Sequence, residues 1–505
     1  MEAKPGAPGI ELEASKAALD EIPEKGAQSQ TPVTTVEQVR ALNRGFSERL
    51  SARHELSWVT DALVAAARSE CIDTAYGLAR YLMLRFDELE IEDRRAAIPR
   101  IVRCLLAKGE RERLQAFLLE NLVHAPPGMA FISALTTAEC GAINGLEPRA
   151  FPNGRPNALM LQSLISRSLI SEHELLTLPI QYAKYFREDP QLYLLLYNAF
   201  RLGNPELARS SLNRLLALSN CSALASFQPS EFWSQLAFEP LPELEGDQLV
   251  SVLVAARNSE ATIGGALRSL LGQSYRKLEV LVCDDASDDG TLGVIQELAR
   301  SDGRLRVFRS RERQGVYNVR NHLLRRADGE LITFHDADDI ATPMRIASQV
   351  GLLERQPERL GSTGAMIRFT QGGEAVFFYD QRAVRNAAVS LMVRRSVFDR
   401  VPGWRRVWFG ADREFIEQVR VEFGIESIIN TKNLYLFALA AGSSLTQGCG
   451  TESLATGLLS ASRRRYAELA FFQRLLGPGV IDERMMERAL RDTANLAPAS
   501  ELQQL

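Results

Sequence analysis

Two hydrophobic rhythms divide the chain. From about residue 36 to 218 apolar residues recur at helical spacing with almost no alternation. Residues 96–122 read as two amphipathic helices around a Lys108-Gly109 turn, and 191–218 repeats the arrangement around Leu202-Gly203-Asn204-Pro205. Gly ends a helix at little cost, and Pro205 suits the first turn of the next. Hairpins of this kind predict an all-α, solenoid-like or bundled domain over 41–237, although no constant repeat period runs through it. A linker over 238–248 follows, marked by Pro240, Pro242, Gly246 and a run of acids. The pattern then changes. Short apolar runs at 249–255, 278–283, 305–308 and 331–335 read as strands, with helices at 261–271 and 292–300 between them. This order predicts an α/β layer with parallel strands and right-handed crossovers.

Residues 1–40 are polar and poor in aromatics, which predicts disorder. The tail, 451–505, reads as helical and carries Arg463-Arg464-Arg465, a face either solvated or touching anionic lipid. A chain of 505 residues with 46% apolar and 24% charged residues can build several soluble domains. Its formal net charge of -4 makes no case for a nucleic-acid partner. The six cysteines form no CxxC pair, which argues against zinc and disulfides and for a reducing compartment. Of the five histidines only His322 and His335 fall in the C-terminal half. A metal there would be held by oxygen, which points to Mg²⁺ or Mn²⁺. Neither a leader-like apolar segment nor an apolar run of membrane-spanning length occurs, so the expectation is a cytoplasmic protein, with contact at the inner face of the membrane left open. The helical half holds no cluster of chemically apt residues; scaffolding or contact with a protein partner is its expected role.

The chemistry gathers at strand ends, where ligands of parallel sheets sit. Asp284-Asp285 closes the second strand of the α/β half. Helix capping explains Ser287 or Asp288 just beyond, but not two adjacent carboxylates. Asp336-Ala337-Asp338-Asp339 closes a later strand. Three carboxylates in four residues repel one another unless positive charge arrives, and a divalent cation carrying a diphosphate supplies it.

In this order the segments resemble the family 2 glycosyltransferases, which have the GT-A fold. The resemblance rests on Val252-Leu253-Val254-Ala255-Ala256-Arg257-Asn258, on Leu281 to Thr291, on Gly315-Val316-Tyr317-Asn318-Val319-Arg320-Asn321, and on Asp336-Ala337-Asp338-Asp339 as the DxD motif. It implies that Asp285 binds the nucleobase edge, with Asp284 nearby and the backbone of Ala255, Arg257 and Asn258 flanking the base. It implies that Asp336 faces ribose and metal and that Asp338 is the principal metal ligand. Arg320 would either approach the diphosphate or brace the acidic loop. Gly410-Ala411-Asp412-Arg413-Glu414 resembles the family's Glu-Asp segment, which makes Asp412 the general base and Glu414 the reserve; Ala411 stands where a second acid is usual. Trp404 and Trp408 either stack on a sugar ring or belong to the core.

The Gln-x-x-Arg-Trp motif of processive synthases is missing, which favours single addition. The implied function is inverting, metal-dependent transfer from a nucleotide-diphosphate sugar to a hydroxyl of a carbohydrate or lipid-linked acceptor, in bacterial surface polysaccharide or glycoconjugate synthesis. Two rivals stay open. A sugar nucleotidyltransferase would carry a Gly-rich loop after the first strand, and 255–260 has no glycine. A non-catalytic nucleotide-sugar sensor with a partner-binding helical half would not need acids at both motifs.

Overall fold

The computed structural model describes residues 72–107, 170–226, 232–377 and 382–440 continuously. It also describes separate positions between 56 and 66 and between 110 and 121, residue 165, and short stretches between 451 and 504. The first forty residues, the Lys108-Gly109 turn and Arg463 to Arg465 lie outside the described residues.

Helices α1 (Ile72–Leu84) and α2 (Ile91–Ala107) pack through Leu78, Leu82, Ile98, Ile101 and Leu105. Helix α3 (Glu172–Gln181) opens on a capping box in which Ser171 and Glu174 satisfy each other's backbone N–H. After α4 (Ala183–Glu188), α5 (Leu192–Phe200) buries Leu192, Leu194, Leu195, Leu196, Tyr197 and Phe200, so it is apolar nearly all round. Such a helix must be enclosed. The expected break follows: Asn204 caps α6 (Pro205–Leu218) by accepting from the Leu207 N–H at 3.2 Å, with Pro205 in the first turn. A small ribbon of β1 (Leu224–Ser226) and β2 (Ala237–Phe238) encloses α7 (Phe232–Gln235). The acid- and proline-rich stretch then runs against Ser274 to Arg276. The Leu244 N–H donates to the Ser274 carbonyl at 2.7 Å and the Tyr275 hydroxyl to the Gln248 carbonyl at 2.6 Å.

The α/β half follows the sequence closely: β3 (Val250–Ala256), α8 (Ile263–Leu271), β4 (Leu278–Asp284), α9 (Thr291–Ser301), β5 (Leu305–Ser310), α10 (Val316–Leu324) and β6 (Leu331–Asp336). Beyond them come β7 (Ile340–Ala341), α11 (Arg345–Arg355), β8 (Gly361–Thr370), β9 (Val384–Arg394), α12 (Ala411–Phe423) and β10 (Ile428–Ala440). The tail, expected to be helical, adds strands as well: β11 (Thr451–Ser453), β12 (Leu458–Leu459) and β13 (Leu502–Gln504). Backbone pairing with the free edge of β5 gives β13 its conformation.

Among the described residues one sheet has the order β13-β5-β4-β3-β6-β9-β8-β10-β7. Strands β5, β4, β3 and β6 are parallel, β9 runs against β6 and β8, and β8 is parallel to β10. This is the mixed sheet expected of a GT-A domain. The carboxyl ends of β3, β4, β6 and β8 therefore share one edge with the start of β9. Leu253, Phe334, Val393 and Phe415 fill one face, and Val252, Val280, Ile346 and Met392 the other.

A third core joins the helical segment to the sheet. Leu195, Phe200 and Leu212 pack with Phe232, Phe369 and Phe437. Helix α5 also grips the backbone between β8 and β9. The Asn198 amide exchanges two 2.8 Å bonds with Ala375, Arg201 donates to the Gly372 carbonyl at 2.9 Å, and the Tyr197 hydroxyl donates to the Gly373 carbonyl. Residues 192–218 and strand β8 thus bury their apolar surface against each other.

Candidate active site

At the end of β4, Asp285 is 3% exposed and accepts from the Gln314 N–H at 2.7 Å and the Gly315 N–H at 2.8 Å. Burial pushes its carboxyl above the ordinary carboxylate range, and those two N–H groups pull it back. Gly315 has φ of 87°, a conformation that favours glycine, and its N–H is one of the pair that holds Asp285. The same turn starts α10, so the position of Asp285 is tied to that of Tyr317 and Arg320, one helical turn apart.

Arg320 is the hub. Its side chain is 1% exposed and donates to Asp336 Oδ1 at 2.6 Å and to Asp412 Oδ1 at 2.5 Å. Its guanidinium lies 4.0 Å from the Phe334 ring centroid, a favourable placement for a cation excluded from water. The Tyr317 hydroxyl adds a 3.0 Å bond to Asp412 Oδ2. Burial raises the Asp412 carboxyl above its ordinary range while Arg320 opposes the shift. Asp412 is therefore held in one orientation by two donors and kept ionisable by a neighbouring positive charge. Of the two sequence readings of Arg320, this contact is the bracing one.

The acidic loop after β6 is fixed from behind. The fully buried Arg345 donates to His335 Nδ1 at 2.9 Å, to the Thr333 hydroxyl at 2.9 Å and to the Phe334 carbonyl at 2.9 Å. With Nδ1 accepting, Nε2 carries the proton and donates to the Asp339 carbonyl at 3.0 Å. Burial and then Arg345 lower His335 to about 3, so it is neutral. Asp339 turns inward and accepts from the Leu439 N–H at 3.3 Å. Asp338 stays half-buried, and burial together with the Asp336 charge raises its carboxyl to about 6.

Asp336 and Asp338 fit a hard divalent cation. Their donors are all oxygen, and the free oxygen of Asp336 has no protein partner among the described residues. Burial, and then the Asp336 charge, make Asp338 reluctant to ionise without a counterion. No cluster of three or more His, Cys, Asp or Glu suited to a metal occurs among the described residues, so the protein would supply only part of a coordination shell.

Loops bearing the other candidates knit together. Arg257 donates to the Asp285 carbonyl at 2.8 Å and to the Ala286 carbonyl. Asn258, at φ of 47°, offers its amide oxygen to the Asp288 N–H at 3.2 Å. Ala255 sits directly beside Asp336 in the β3–β6 register. Two of the candidates lie in the interior. Asp284 is wholly buried, accepting from the Ser287 N–H at 3.3 Å with Arg309 Nε 3.5 Å away, so it shapes the turn. Trp404 is 4% exposed and packs between Phe334 and Phe415, with ring centroids 5.2 and 5.0 Å away; it belongs to the core. Trp408 is the half-buried one, with the Arg313 guanidinium 4.5 Å from its ring centroid. Glu414 is buried against Tyr466 at 3.2 Å and Arg405 at 3.5 Å. Tyr317 and the Arg345–His335 brace were missed. Tyr317 sits three residues before Arg320 on one helix face, which was a usable signal; nothing in sequence marked Arg345.

Residues 251–404 match the family described as Glycosyl transferase family 2. Among curated relatives, a putative glycosyltransferase EpsE of Bacillus subtilis (strain 168) is 28% identical over 179 residues, 31% of this chain and 60% of the relative. The Escherichia coli protein WfaP, named as a UDP-Glc:α-D-GlcNAc-diphosphoundecaprenol β-1,3-glucosyltransferase, is 33% identical over 109 residues, 22% of this chain and 43% of the relative. The chain thus spans 60% and 43% of the lengths of these two relatives. Among solved structures, S. aureus TarS 1-349 in complex with UDP-GlcNAc superposes with a TM-score of 0.33 at 17% identity, covering 48% of this chain and 71% of TarS 1-349. The mannosyltransferase PcManGT from Pyrobaculum calidifontis, in complex with GDP-Man and Mn²⁺, gives 0.34 at 17% identity, covering 60% and 84%.

Proposed function

We propose that this chain, which carries a family 2 glycosyltransferase domain over residues 251–404, transfers a sugar from a nucleotide-diphosphate donor to a hydroxyl acceptor with inversion at the anomeric carbon. The observation that carries the reading is the Arg320 hub. It joins the acid motif at Asp336 to the isolated carboxylate Asp412, from an α-helix whose lead-in turn at Gln314 and Gly315 holds Asp285.

In this reading Asp285 and the Ala255 to Asn258 backbone receive the nucleobase. Asp336 and Asp338 would hold Mg²⁺ or Mn²⁺, which when bound neutralises charge on the departing diphosphate. Asp412 accepts the proton of the attacking hydroxyl. Tyr317 and Arg320 keep its carboxylate aimed while that happens, which is the positioning a general base requires. Arg320 is buried and held on its other side by Asp336, so its contact with Asp412 keeps the base ordered between turnovers. Attack from the Asp412 side, opposite the leaving diphosphate, gives inversion.

The acceptor is read as a lipid-linked saccharide, supported by the E. coli relative named for transfer to a diphosphoundecaprenol-linked sugar. No helix of the described residues is long and apolar enough to cross a membrane. Incubation of purified protein with UDP-, GDP- and dTDP-sugars, with and without EDTA, tests the reading. Release of nucleoside diphosphate that EDTA abolishes is expected with one donor class. Absence of release with every donor, with Mn²⁺ present and a saccharide-diphosphate lipid supplied, would overturn it.

A further inference from the structure

The acid motif has a cationic neighbour on the far side of β6 from β3 and β4. Strand β8 lies beside β10, with Arg368 opposite Ala438 and Phe369 opposite Leu439. The Leu439 N–H is the group that holds the Asp339 carboxylate, so Arg368 comes up next to the Asp338-Asp339 corner. It is half-buried, and among the described residues its guanidinium makes no hydrogen bond or ion pair.

Which way it faces follows from the sheet. Ile367 and Phe369 enter the core shared with the helical segment, whereas Met366 packs on the opposite side. Side chains alternate along a strand, so Arg368 shares the side of Met366. Arg385 is paired directly with Met366 across the β8–β9 ladder and therefore stands on that side too, diagonal to Arg368. Helix α5 holds the outer end of this ladder by its backbone, through Asn198 and Arg201, so the two strands are firmly placed.

Position separates this pair from the donor's cradle. Strands β4 and β3, carrying Asp285 and Arg257, lie on one side of β6, and β9 and β8 lie on the other. The nucleotide occupies the first side in the proposed function, and its diphosphate reaches the end of β6. A second anion is what the far side can recognise, and a guanidinium is shaped to take two phosphate oxygens at once.

We propose that Arg368 forms a subsite for a phosphate or diphosphate borne by the acceptor. This rests on the glycosyltransferase reading. It deepens that reading by naming the acceptor's charged group and the residue that selects it. An acceptor lacking the phosphate would bind weakly, and the sugar hydroxyl of a phosphate-bearing one would be drawn towards Asp412.

The test uses the full chain loaded with Mn²⁺ and whichever of UDP, GDP or dTDP binds it, or with Mn²⁺ alone if none does. Geranyl diphosphate serves as the probe and geraniol as the uncharged control, both followed by calorimetry. Arg368→Met is expected to weaken geranyl diphosphate about ten- to a hundredfold, the range for losing a charge-assisted phosphate contact. Arg368→Lys should recover part of that loss, and nucleotide affinity with Mn²⁺ should stay within about twofold, the scale of a change in uncoupled binding. Unchanged geranyl diphosphate binding in Arg368→Met overturns the subsite. So does a loss of nucleotide affinity in that variant, which would make Arg368 part of the donor site. Failure of the wild type to bind any nucleotide counts instead against the proposed function.

Discussion

Replacing Arg320 with Met removes the charge at the hub while keeping most of the stem. The two carboxylates it serves differ in exposure, 34% for the Asp336 side chain and 18% for Asp412. Water screens the Asp336 contact, so its loss costs under about 1 kcal/mol. Asp412 is left with only the Tyr317 hydroxyl, in a site that already resists ionisation. At an effective dielectric constant near 20, two charges about 4 Å apart interact by about 4 kcal/mol, and breaking a buried pair from one side costs about 3–5 kcal/mol. Arg320→Met should therefore lower the unfolding free energy by about 3–4 kcal/mol, by the same argument. The double variant Arg320→Met/Asp412→Asn removes the stranded charge as well and should recover at least about 2 kcal/mol of it, the coupling expected for contacting groups. Urea denaturation at pH 7.5 followed by circular dichroism reads both. A loss below about 1 kcal/mol in the single variant, or strictly additive losses in the pair, would refute the idea that Arg320 exists to hold Asp412.

Mn²⁺ should raise the melting temperature more at pH 7.5 than at pH 5. The folded Asp338 carboxyl, raised to about 6, is charged at the first pH and protonated at the second. Because that pKa is raised, folding disfavours the ionised form; the penalty is present above pH 6 and disappears as pH falls below the unfolded value. Equal shifts at both pH values, or an undiminished shift in Asp338→Asn, would contradict the metal assignment. Asn198→Ala should cost about 1–3 kcal/mol in the same denaturation assay, since it strands both the N–H and the carbonyl of Ala375, each now bonded at 2.8 Å. A loss below about 0.5 kcal/mol, the level of an ordinary surface change, would show that α5 does not brace the β8–β9 backbone.

Much of this was legible in the sequence for a simple reason. Buried parallel strands are continuous apolar runs, and Val250–Ala256 and Leu278–Asp284 fall within a residue of where the runs end. The acids at their ends stand out against that background. What periodicity cannot show is which apolar face meets which. Helix α5 reads as a buried helix, but only the fold shows that Phe369 and Phe437 bury it. Trp404 is ambiguous for the same reason, because an indole beside a site and an indole beneath it look alike in sequence. Arg320 stood out through the resemblance, yet its two carboxylate partners come from residues 16 and 92 positions away. The strand β13 could not be foreseen, since its conformation comes from the free edge of β5 rather than from its own residues.

The account stands on Asp412 as the group that takes the acceptor proton. The most direct measurement is the single-turnover transfer rate of Asp412→Asn, alongside its affinity for Mn²⁺ and nucleoside diphosphate. Loss of a positioned general base predicts a fall of about a hundred- to ten-thousandfold in rate, with nucleotide affinity within about twofold of wild type. Transfer within about tenfold of wild type, which is less than such a group contributes, would place the base elsewhere and dissolve the role given to the Arg320 hub.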